Sequence, residues 1–325
     1  MRPLALALAL LVLLPAALAG PAGPTVLTPQ QGPTAPVATA PVATLTPFVN
    51  DPWSYAGGTR TQMVTIPTVA WNRVVLTFHD DSGTDPWDRL AMVGVAGAEV
   101  LHATTARAPM TLTKDITSYA ALLAPGSTVP VDLNFGTYVG VQYLSVRLDF
   151  YEEPTAAAVE GAHAATFPVF EFAGLCCDGS AADATVAFPA AAPSRAIVEL
   201  TTSGHGQDGE FWYLNTAHPT PPTFHVLVDG VEVAQATALP YTYALVGFSP
   251  QDPTIHGAMW WTAQQAANDA GVHATGTGVI PPYRGELPAD VLPLLTGARD
   301  VKVVESWNAG EGGYWPVSLT LHLDP

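Results

Sequence analysis

The sequence predicts an all-β protein built from two adjacent antiparallel jelly-roll sandwiches. Short segments in which apolar and polar residues alternate recur along the chain, as expected for strands with one face in a core. The 31 prolines and 28 glycines of the 325 residues interrupt the chain throughout, and convincing long helix patterns are absent. The strand patterns lie on both sides of one break, at Glu152-Glu153-Pro154. We therefore expect an N-terminal sandwich over residues 46–154 and a C-terminal sandwich over residues 155–325.

The first 45 residues precede the predicted sandwiches. Arg2, an apolar run over residues 4–14 and the small residues of Ala17-Leu18-Ala19 form the pattern of a secretory signal peptide over residues 1–19. The apolar run is too short to span a bilayer, so we expect a secreted or periplasmic protein that does not reside in a membrane. Residues 20–45 are rich in Pro, Ala and Thr, which predicts an extended, poorly packed linker.

The clearest strand pattern covers residues 142–151. Leu144, Val146, Leu148 and Phe150 share one face there, and more polar side chains occupy the other face. Comparable patterns predict strands over residues 73–78, 90–95, 129–134, 184–188, 195–201, 223–233, 301–306 and 317–323. Strands of this number and length on both sides of the break support the two-sandwich prediction.

Two local signals refine this description. Asp229-Gly230 interrupts the segment 223–233 and is typical of a tight hairpin turn. One short helix is predicted over residues 117–123, with Asp115 or Thr117 as its cap.

The composition excludes several classes of function. A net charge of −17 argues against nucleic acid as a partner, because phosphate binding needs clustered Lys and Arg. The two cysteines are adjacent, Cys176-Cys177, so a vicinal disulfide, two free thiols and an intermolecular link all remain open. No Cys/His spacing suits structural zinc, and no Gly-x-Ser-x-Gly elbow, phosphate loop or His-Glu-x-x-His motif occurs. Nucleophilic serine, nucleotide and zinc-protease chemistry therefore have no support.

The loop over residues 79–89 is the first candidate site. It lies between two predicted strands and contains four carboxylates together with Trp87, Asp88 and Arg89, in a chain with only 12% charged residues. Its oxygen-bearing side chains could bind calcium, but the spacing of an EF-hand is missing, and a solvated turn is the simpler alternative. A tryptophan beside charged groups instead favours a sugar-binding surface.

The segment over residues 203–213 is the second candidate site. It also follows a predicted strand and combines glycines with Glu210 and the aromatic Trp212. Taken alone, it fits an ordinary glycine-rich turn, in which His205 caps a backbone group. Paired with the first loop, it offers a second carboxylate across a cleft, which suits hydrolysis of a sugar conjugate.

At these positions the chain resembles the peptide-N-glycosidases, the amidases that release N-linked glycans from asparagine. The resemblance covers most of residues 46–325 as separate islands. The matching islands are Trp87-Asp88-Arg89, Lys114-Asp115-Ile116-Thr117-Ser118-Tyr119, Tyr138-Val139-Gly140-Val141-Gln142-Tyr143, Asp208-Gly209-Glu210-Phe211-Trp212-Tyr213 and Gly313-Tyr314-Trp315. The order and spacing of these short motifs carry the resemblance.

The resemblance implies two jelly rolls side by side with the active site in the cleft between them. It assigns Asp88 as the essential aspartate, Glu210 as the second acid and Arg89 as a substrate-contacting arginine. Trp87 would pack on the first N-acetylglucosamine, and His205 and Trp212 are further candidates for substrate binding. Asn134 falls near the third acid of the bacterial type, where the plant-like type also tends to have Asn. A second departure is Trp260-Trp261-Thr262, which stands where the plant-like type has Trp-Arg-Pro.

The expected function is hydrolysis of the bond between N-acetylglucosamine and the asparagine side chain of N-glycosylated proteins or peptides. The intact glycan would leave as a glycosylamine, and Asn would become Asp. We expect a monomer that needs no metal and no other cofactor. A glycoside hydrolase with the same carboxylate pair and a non-catalytic carbohydrate-binding or adhesion protein are the alternatives. The sequence leaves open which carboxylate is the base, the glycan preference including core fucose, and the working pH.

Overall fold

A computed structural model describes residues 23–30, 40–54, 57–81, 89–105, 109–137, 140–153, 163–175, 179–204, 222–238, 278–306 and 313–325. In these ranges the protein is nearly all β-structure. The strands, numbered β1 to β19 in chain order, are Thr25–Val26, Thr28–Pro29, Ala43–Ser54, Gly58–Thr65, Arg73–Asp80, Leu90–Val95, Ala98–Thr104, Met110–Asp115, Thr128–Phe135, Val141–Tyr151, Ala165–Leu175, Ala181–Ala187, Arg195–Thr202, Thr223–Val228, Val231–Thr237, Gly278–Val279, Tyr283–Glu286, Ala298–Ser306 and Gly313–Asp324. The short 3-10 helices in these ranges are Thr117–Leu122 and Leu292–Leu294.

The strands form four sheets, two in each half of the chain. The N-terminal sheets have the strand orders β3-β10-β5-β8 and β16-β7-β6-β9-β4. The C-terminal sheets have the orders β1-β15-β14-β18-β12 and β11-β19-β13-β17-β2. Neighbouring strands are antiparallel except β1 and β15, which run parallel. The predicted all-β architecture of antiparallel sandwiches is therefore confirmed.

Each half has its own hydrophobic core between its two sheets. In the N-terminal half, Leu76 and Phe78 of β5 meet Val93 of β6 and Leu133 of β9 in one buried cluster. In the C-terminal half, Leu200 of β13 and Leu319 of β19 share a second cluster with residues of β14 and β18. Alternate residues along these strands point to the same face, so the apolar residues of the predicted period-two pattern are the ones that fill each core.

Most predicted strands are confirmed. Leu144, Val146, Leu148 and Phe150 are all fully buried in β10. The strand β6 has the same bounds as its prediction, and β9, β13, β18 and β19 contain theirs. Most of the predicted 184–188 lies in β12.

The hairpin signal is confirmed. The helix signal is confirmed in position but not in its cap, because the capping residue is Ile116, whose side chain makes no capping hydrogen bond. The Asp229-Gly230 turn joins β14 to β15, and both residues adopt the positive φ that such a turn needs, 48° and 79°. The predicted helix is a single 3-10 segment. Asp115 Oδ1 accepts hydrogen bonds from the backbone N and the hydroxyl of Thr117 at its start.

The division at residue 154 is crossed in both directions by strand pairing. The segment 25–29, expected to belong to a poorly packed linker, contributes β1 to one C-terminal sheet and β2 to the other. Leu27 between them is 3% exposed and belongs to the C-terminal core. In the other direction, β16 pairs with β7 at the edge of an N-terminal sheet. The expectation of a poorly packed linker is therefore wrong for residues 25–29.

Replacing Leu27 with Ala is expected to destabilise the protein by about 2–4 kcal/mol, because it removes a buried side chain and leaves a cavity. Val26→Ala is the matched control, since Val26 is 64% exposed and should change stability by less than about 0.5 kcal/mol. Thermal unfolding followed by circular dichroism measures both. Equal melting temperatures for the two variants would contradict the docking of this segment.

Among the described residues, no helix has the length and apolar character needed to cross a bilayer.

Candidate active site at the domain interface

One end of the N-terminal sandwich presents the first candidate site. Strand β5 ends there at Asp80, and β6 begins at Leu90 in the opposite sheet. Arg89, immediately before β6, is fixed through its backbone by Thr105 after β7. Its N donates to Thr105 Oγ1 at 2.9 Å, and its O accepts from Thr105 N at 2.7 Å. Arg89 directly follows Asp88 in the sequence. The bonds to Thr105 therefore fix one end of the predicted catalytic loop at the end of β7.

Most of the predicted site residues lie outside the described residues. These are Trp87, Asp88, His205, Glu210 and Trp212, and Cys176-Cys177 also falls there. Their predicted roles stay predictions.

Asn134 lies on the same sheet as the start of β6. It pairs with Met92 of β6, and Met92 pairs on its other side with His102 of β7. Directly paired residues of an antiparallel sheet point to one face, so Asn134 and His102 share a face. The Asn134 amide donates to Thr59 Oγ1 at 2.8 Å, which leaves its carbonyl oxygen available to a ligand.

Residues beyond position 154 contact this sheet at two points, one on the face that His102 shares with Asn134 and one along the edge of β7. Ser203, just beyond β13, lies with its Oγ 2.5 Å from His102 Nε2. Ile280, just beyond β16, donates its backbone N–H to the carbonyl of His102 at 2.8 Å. Ser203, seven positions before Glu210 in the sequence, thus contacts β7, and Thr105 at the end of β7 binds the backbone of Arg89.

A buried charged cluster lies deeper in the interface, centred on Glu199 of β13. Its Oε2 lies 3.0 Å from Arg284 Nε and 3.5 Å from His322 Nε2. Tyr119 of the N-terminal half donates its hydroxyl to Glu199 Oε1. Burial alone would raise the pKa of Glu199, but the His322 contact and the positive charges of Arg284 and Lys114 outweigh it and hold that pKa well below its usual range.

The same environment shifts the pKa values of two N-terminal residues near Glu199, Lys114 and Tyr119. Burial lowers the pKa of Lys114, although the charges of Glu199 and Glu99 oppose the shift. Burial raises the pKa of Tyr119 well above its ordinary value, and the adjacent Glu199 carboxylate adds to the shift. Lys114 and Tyr119 belong to one of the motifs behind the family resemblance, and the structure places them at the joint between the two halves.

A half-buried carboxyl group, that of Glu171, lies over Gly94 of β6. Glu171 of β11 covers this glycine so closely that a Cβ there would overlap the Glu171 carboxylate. Gly94 pairs with Glu99 on one side and with Asp132 on the other. Burial, and then the negative charges of Asp132 and Glu99, raise the pKa of Glu171 to about 8. A β-bulge between Phe170 and Ala173 produces this placement.

This carboxyl group predicts a pH-dependent stability. The folded pKa is raised above 4.5, so the folded state holds a proton that the unfolded state loses, and stability falls as pH rises from about 4.5 towards 8. Glu171→Gln should remove that loss, because a neutral amide is not repelled by Asp132 and Glu99. Melting temperatures should therefore be higher than wild type near about pH 9 and similar near about pH 4. A constant difference across this range would contradict the assignment.

Among the described residues, no group of three or more His, Cys, Asp or Glu side chains is arranged to bind a metal ion. Of the predicted site residues, the structure describes Arg89, whose backbone is held by Thr105, and Asn134, whose amide donates to Thr59.

Comparison with protein families identifies the chain. Residues 51–236, more than half of the 325, match the model of peptide N-acetyl-beta-D-glucosaminyl asparaginase amidase A. The chain belongs to this family. The matched range includes both Asp88 and Glu210. No curated protein matches the chain in sequence.

Solved structures confirm the fold expected of this amidase A family member. PNGF-II is similar with a TM-score of 0.61 and 14% identity, over 87% of this chain and 65% of that one, so the chain spans about two thirds of PNGF-II. A peptide-N(4)-(N-acetyl-beta-D-glucosaminyl) asparagine amidase matches with a TM-score of 0.53 and 15% identity, over 87% of this chain and 96% of that chain. PNGase F, a glycosylasparaginase from Flavobacterium meningosepticum, gives the same values.

Sequence reasoning missed the buried interface around Glu199, His102 and Glu171. Glu199 and His102 lie on strands at positions that alternation assigns to the solvent side, and a second sandwich covers that side. Glu171 lies on β11, where two register shifts interrupt the alternation. The Lys114–Tyr119 motif, which resembles the family, was the available signal for this interface. The sequence pattern does not show where in the fold this motif lies.

Proposed function

We propose that the chain is an amidase that cleaves the bond between N-acetylglucosamine and the asparagine side chain of N-glycosylated proteins or peptides. The family match over residues 51–236 carries the proposal, because it covers both predicted acids. The fold shared with a solved peptide-N(4)-(N-acetyl-beta-D-glucosaminyl) asparagine amidase and with PNGase F supports it. The proposed products are the intact glycan as a glycosylamine and an aspartate in the peptide.

The chemistry defines what the two acids must do. Water attacks the side-chain carbonyl carbon, the oxyanion needs hydrogen-bond donors, and the nitrogen leaves as an amine. We assign Asp88 as the principal catalytic carboxylate, which orients the water or the substrate nitrogen. Glu210 completes the water network from the other half of the molecule.

The remaining predicted residues bind the substrate. Arg89, whose backbone is fixed by Thr105, contacts substrate oxygens or anchors Asp88. Trp87 packs on the first sugar, since an aromatic face suits the C–H groups of a pyranose. Asn134, Trp212 and His205 add polar and aromatic contacts around it. We further propose that the protein acts outside the cytoplasm, as its predicted signal peptide implies. We also propose that it acts as a monomer.

Mass spectrometry of an N-glycopeptide incubated with the purified protein tests the proposal. Loss of the whole glycan with conversion of Asn to Asp is expected. One N-acetylglucosamine left on Asn would replace the proposal with a glycoside hydrolase. An unchanged peptide that nevertheless binds the protein would indicate a carbohydrate-binding function.

A further inference from the structure

A chain of three buried side chains joins the two halves beside the candidate site. Glu99 Oε1 lies 2.6 Å from His102 Nδ1, and His102 Nε2 lies 2.5 Å from Ser203 Oγ. Glu99 and His102 belong to β7 of the N-terminal half, and Ser203 follows β13 of the C-terminal half. None of the three side chains is more than 3% exposed.

The directions of these hydrogen bonds follow from the groups. A carboxylate accepts hydrogen bonds and cannot donate them, so the imidazole proton is on Nδ1, facing Glu99. Nε2 then accepts a hydrogen bond from the Ser203 hydroxyl. Glu99 therefore fixes the tautomer and orientation of the ring, and the ring fixes the position of Ser203.

This constellation has the connectivity of a Ser-His-acid triad but not its accessibility. Ser203 is 2% exposed and His102 is 1% exposed, so a glycopeptide cannot reach the serine oxygen. The three groups therefore hold parts of the protein in place and do not react with a substrate.

Short stretches of chain connect this unit to both candidate loops. Three residues beyond His102, Thr105 binds both backbone groups of Arg89, the residue that follows Asp88: its hydroxyl oxygen accepts from Arg89 N, and its own N–H donates to Arg89 O. In the other half, Ser203 precedes Glu210 by seven residues. The bond from His102 to Ser203 is thus a direct side-chain contact between the segments that lead to the two predicted acids.

We propose that Glu99, His102 and Ser203 form a positioning unit that fixes the chain after β13 against β7, whose own end binds the backbone of Arg89. The proposal rests on the proposed amidase function. A catalytic pair needs its groups in a narrow geometry, and a misplacement of about 1 Å can cost about 100-fold in rate. Two fully buried hydrogen bonds resist displacement more strongly than solvent-exposed ones, because a broken partner would be left unsatisfied.

Two substitutions of His102 separate its two bonds. In His102→Asn the amide can replace Nδ1 and keep the bond to Glu99, but it cannot reach Ser203. In His102→Gln the amide can replace Nε2 and keep the bond to Ser203, which leaves Glu99 without its partner. The unit predicts opposite orders for activity and stability, with His102→Asn the more stable variant and His102→Gln the more active one.

The assay is glycan release from a glycopeptide by the full chain, with kcat and KM measured separately. His102→Asn and Ser203→Ala should each lower kcat by about 10- to 100-fold with little change in KM, and the double variant should be no worse than either. His102→Gln should retain most of the wild-type kcat. Tyr119→Phe is the matched control, because it also deletes a buried hydrogen bond between the two halves. It should lower the melting temperature without lowering kcat.

The outcomes distinguish the two claims. If the wild-type protein releases no glycan, both the amidase proposal and the positioning unit that rests on it are wrong. An active wild type whose Ser203→Ala variant keeps its kcat overturns the positioning unit alone. So does a parallel loss of kcat and melting temperature across His102→Asn, His102→Gln and Tyr119→Phe, which is the pattern of a purely structural contact.

Discussion

Replacing Asp88 with Asn is expected to lower the rate of glycan release by about 100- to 10,000-fold, with the fold unchanged. The amide of Asn has nearly the shape of the carboxylate, but it carries no negative charge and cannot take a proton from water. It therefore cannot activate or orient the nucleophile. Initial rates of glycan release from a glycopeptide, measured beside circular dichroism spectra of both proteins, give the result.

Asp81→Asn is the matched control for this variant. Asp81 precedes Asp88 by seven residues, at the exposed end of β5, where its backbone N donates to the carbonyl of Tyr143 at 2.9 Å. This backbone bond does not depend on the side chain, so activity close to wild type is expected. Retained activity in Asp88→Asn, or an equal loss in both variants, would remove Asp88 from the catalytic role.

Replacing Glu199 with Gln is expected to destabilise the protein by about 3–5 kcal/mol, the usual result when one partner of a buried ion pair loses its charge. Arg284 and the half-buried Lys114 would then face no carboxylate at this point, and the low-dielectric interface would screen their charges only weakly. Thermal and denaturant unfolding measure the loss, and the two sandwiches should separate or unfold at a lower temperature.

Glu232→Gln is the control for the charge change alone. Glu232 pairs with His225 on the surface of the C-terminal sandwich, where both side chains are about one-third exposed. An exposed pair contributes at most about 1 kcal/mol, so little change is expected. Similar losses in the two variants would contradict a special role for the Glu199 cluster in joining the sandwiches.

The sequence predicted the strands whose pattern is simplest. In β10 alternate residues face a single apolar core, and the period of two is clear. The Asp229-Gly230 hairpin was predictable for a local reason, because both positions need a backbone conformation that these residues tolerate. The loop between β5 and β6 was predictable as a boundary from its charges.

The sequence failed where long-range packing overrides local pattern. Strand β11 has a proline at position 168 and two register shifts against β19, so no regular alternation marks it. Strands β1 and β2 are two residues each, and each pairs with a different C-terminal sheet, at strands that lie hundreds of positions away. The interface residues Glu199 and His322 occupy positions that a single sandwich would expose to water.

The candidate site divides in the same way. Composition and family resemblance predict that an acidic N-terminal loop pairs with a second acid in the C-terminal half, and both of these acids, Asp88 and Glu210, lie outside the described residues. The contacts at the base of the two loops, through Thr105 and His102, were not predictable, because they join residues that no short motif relates. Only the meeting of two separate strands reveals them.

Hydrolysis of an N-glycopeptide in heavy-oxygen water tests the central claim most directly. An amidase adds water to the asparagine carbonyl, so mass spectrometry should find one heavy oxygen in the new aspartate, and none should enter the sugar during its release. The wild-type protein is expected to give this labelled peptide, and Asp88→Asn is expected to give almost none. A heavy oxygen in the released sugar, with N-acetylglucosamine left on an unlabelled asparagine, would contradict the account.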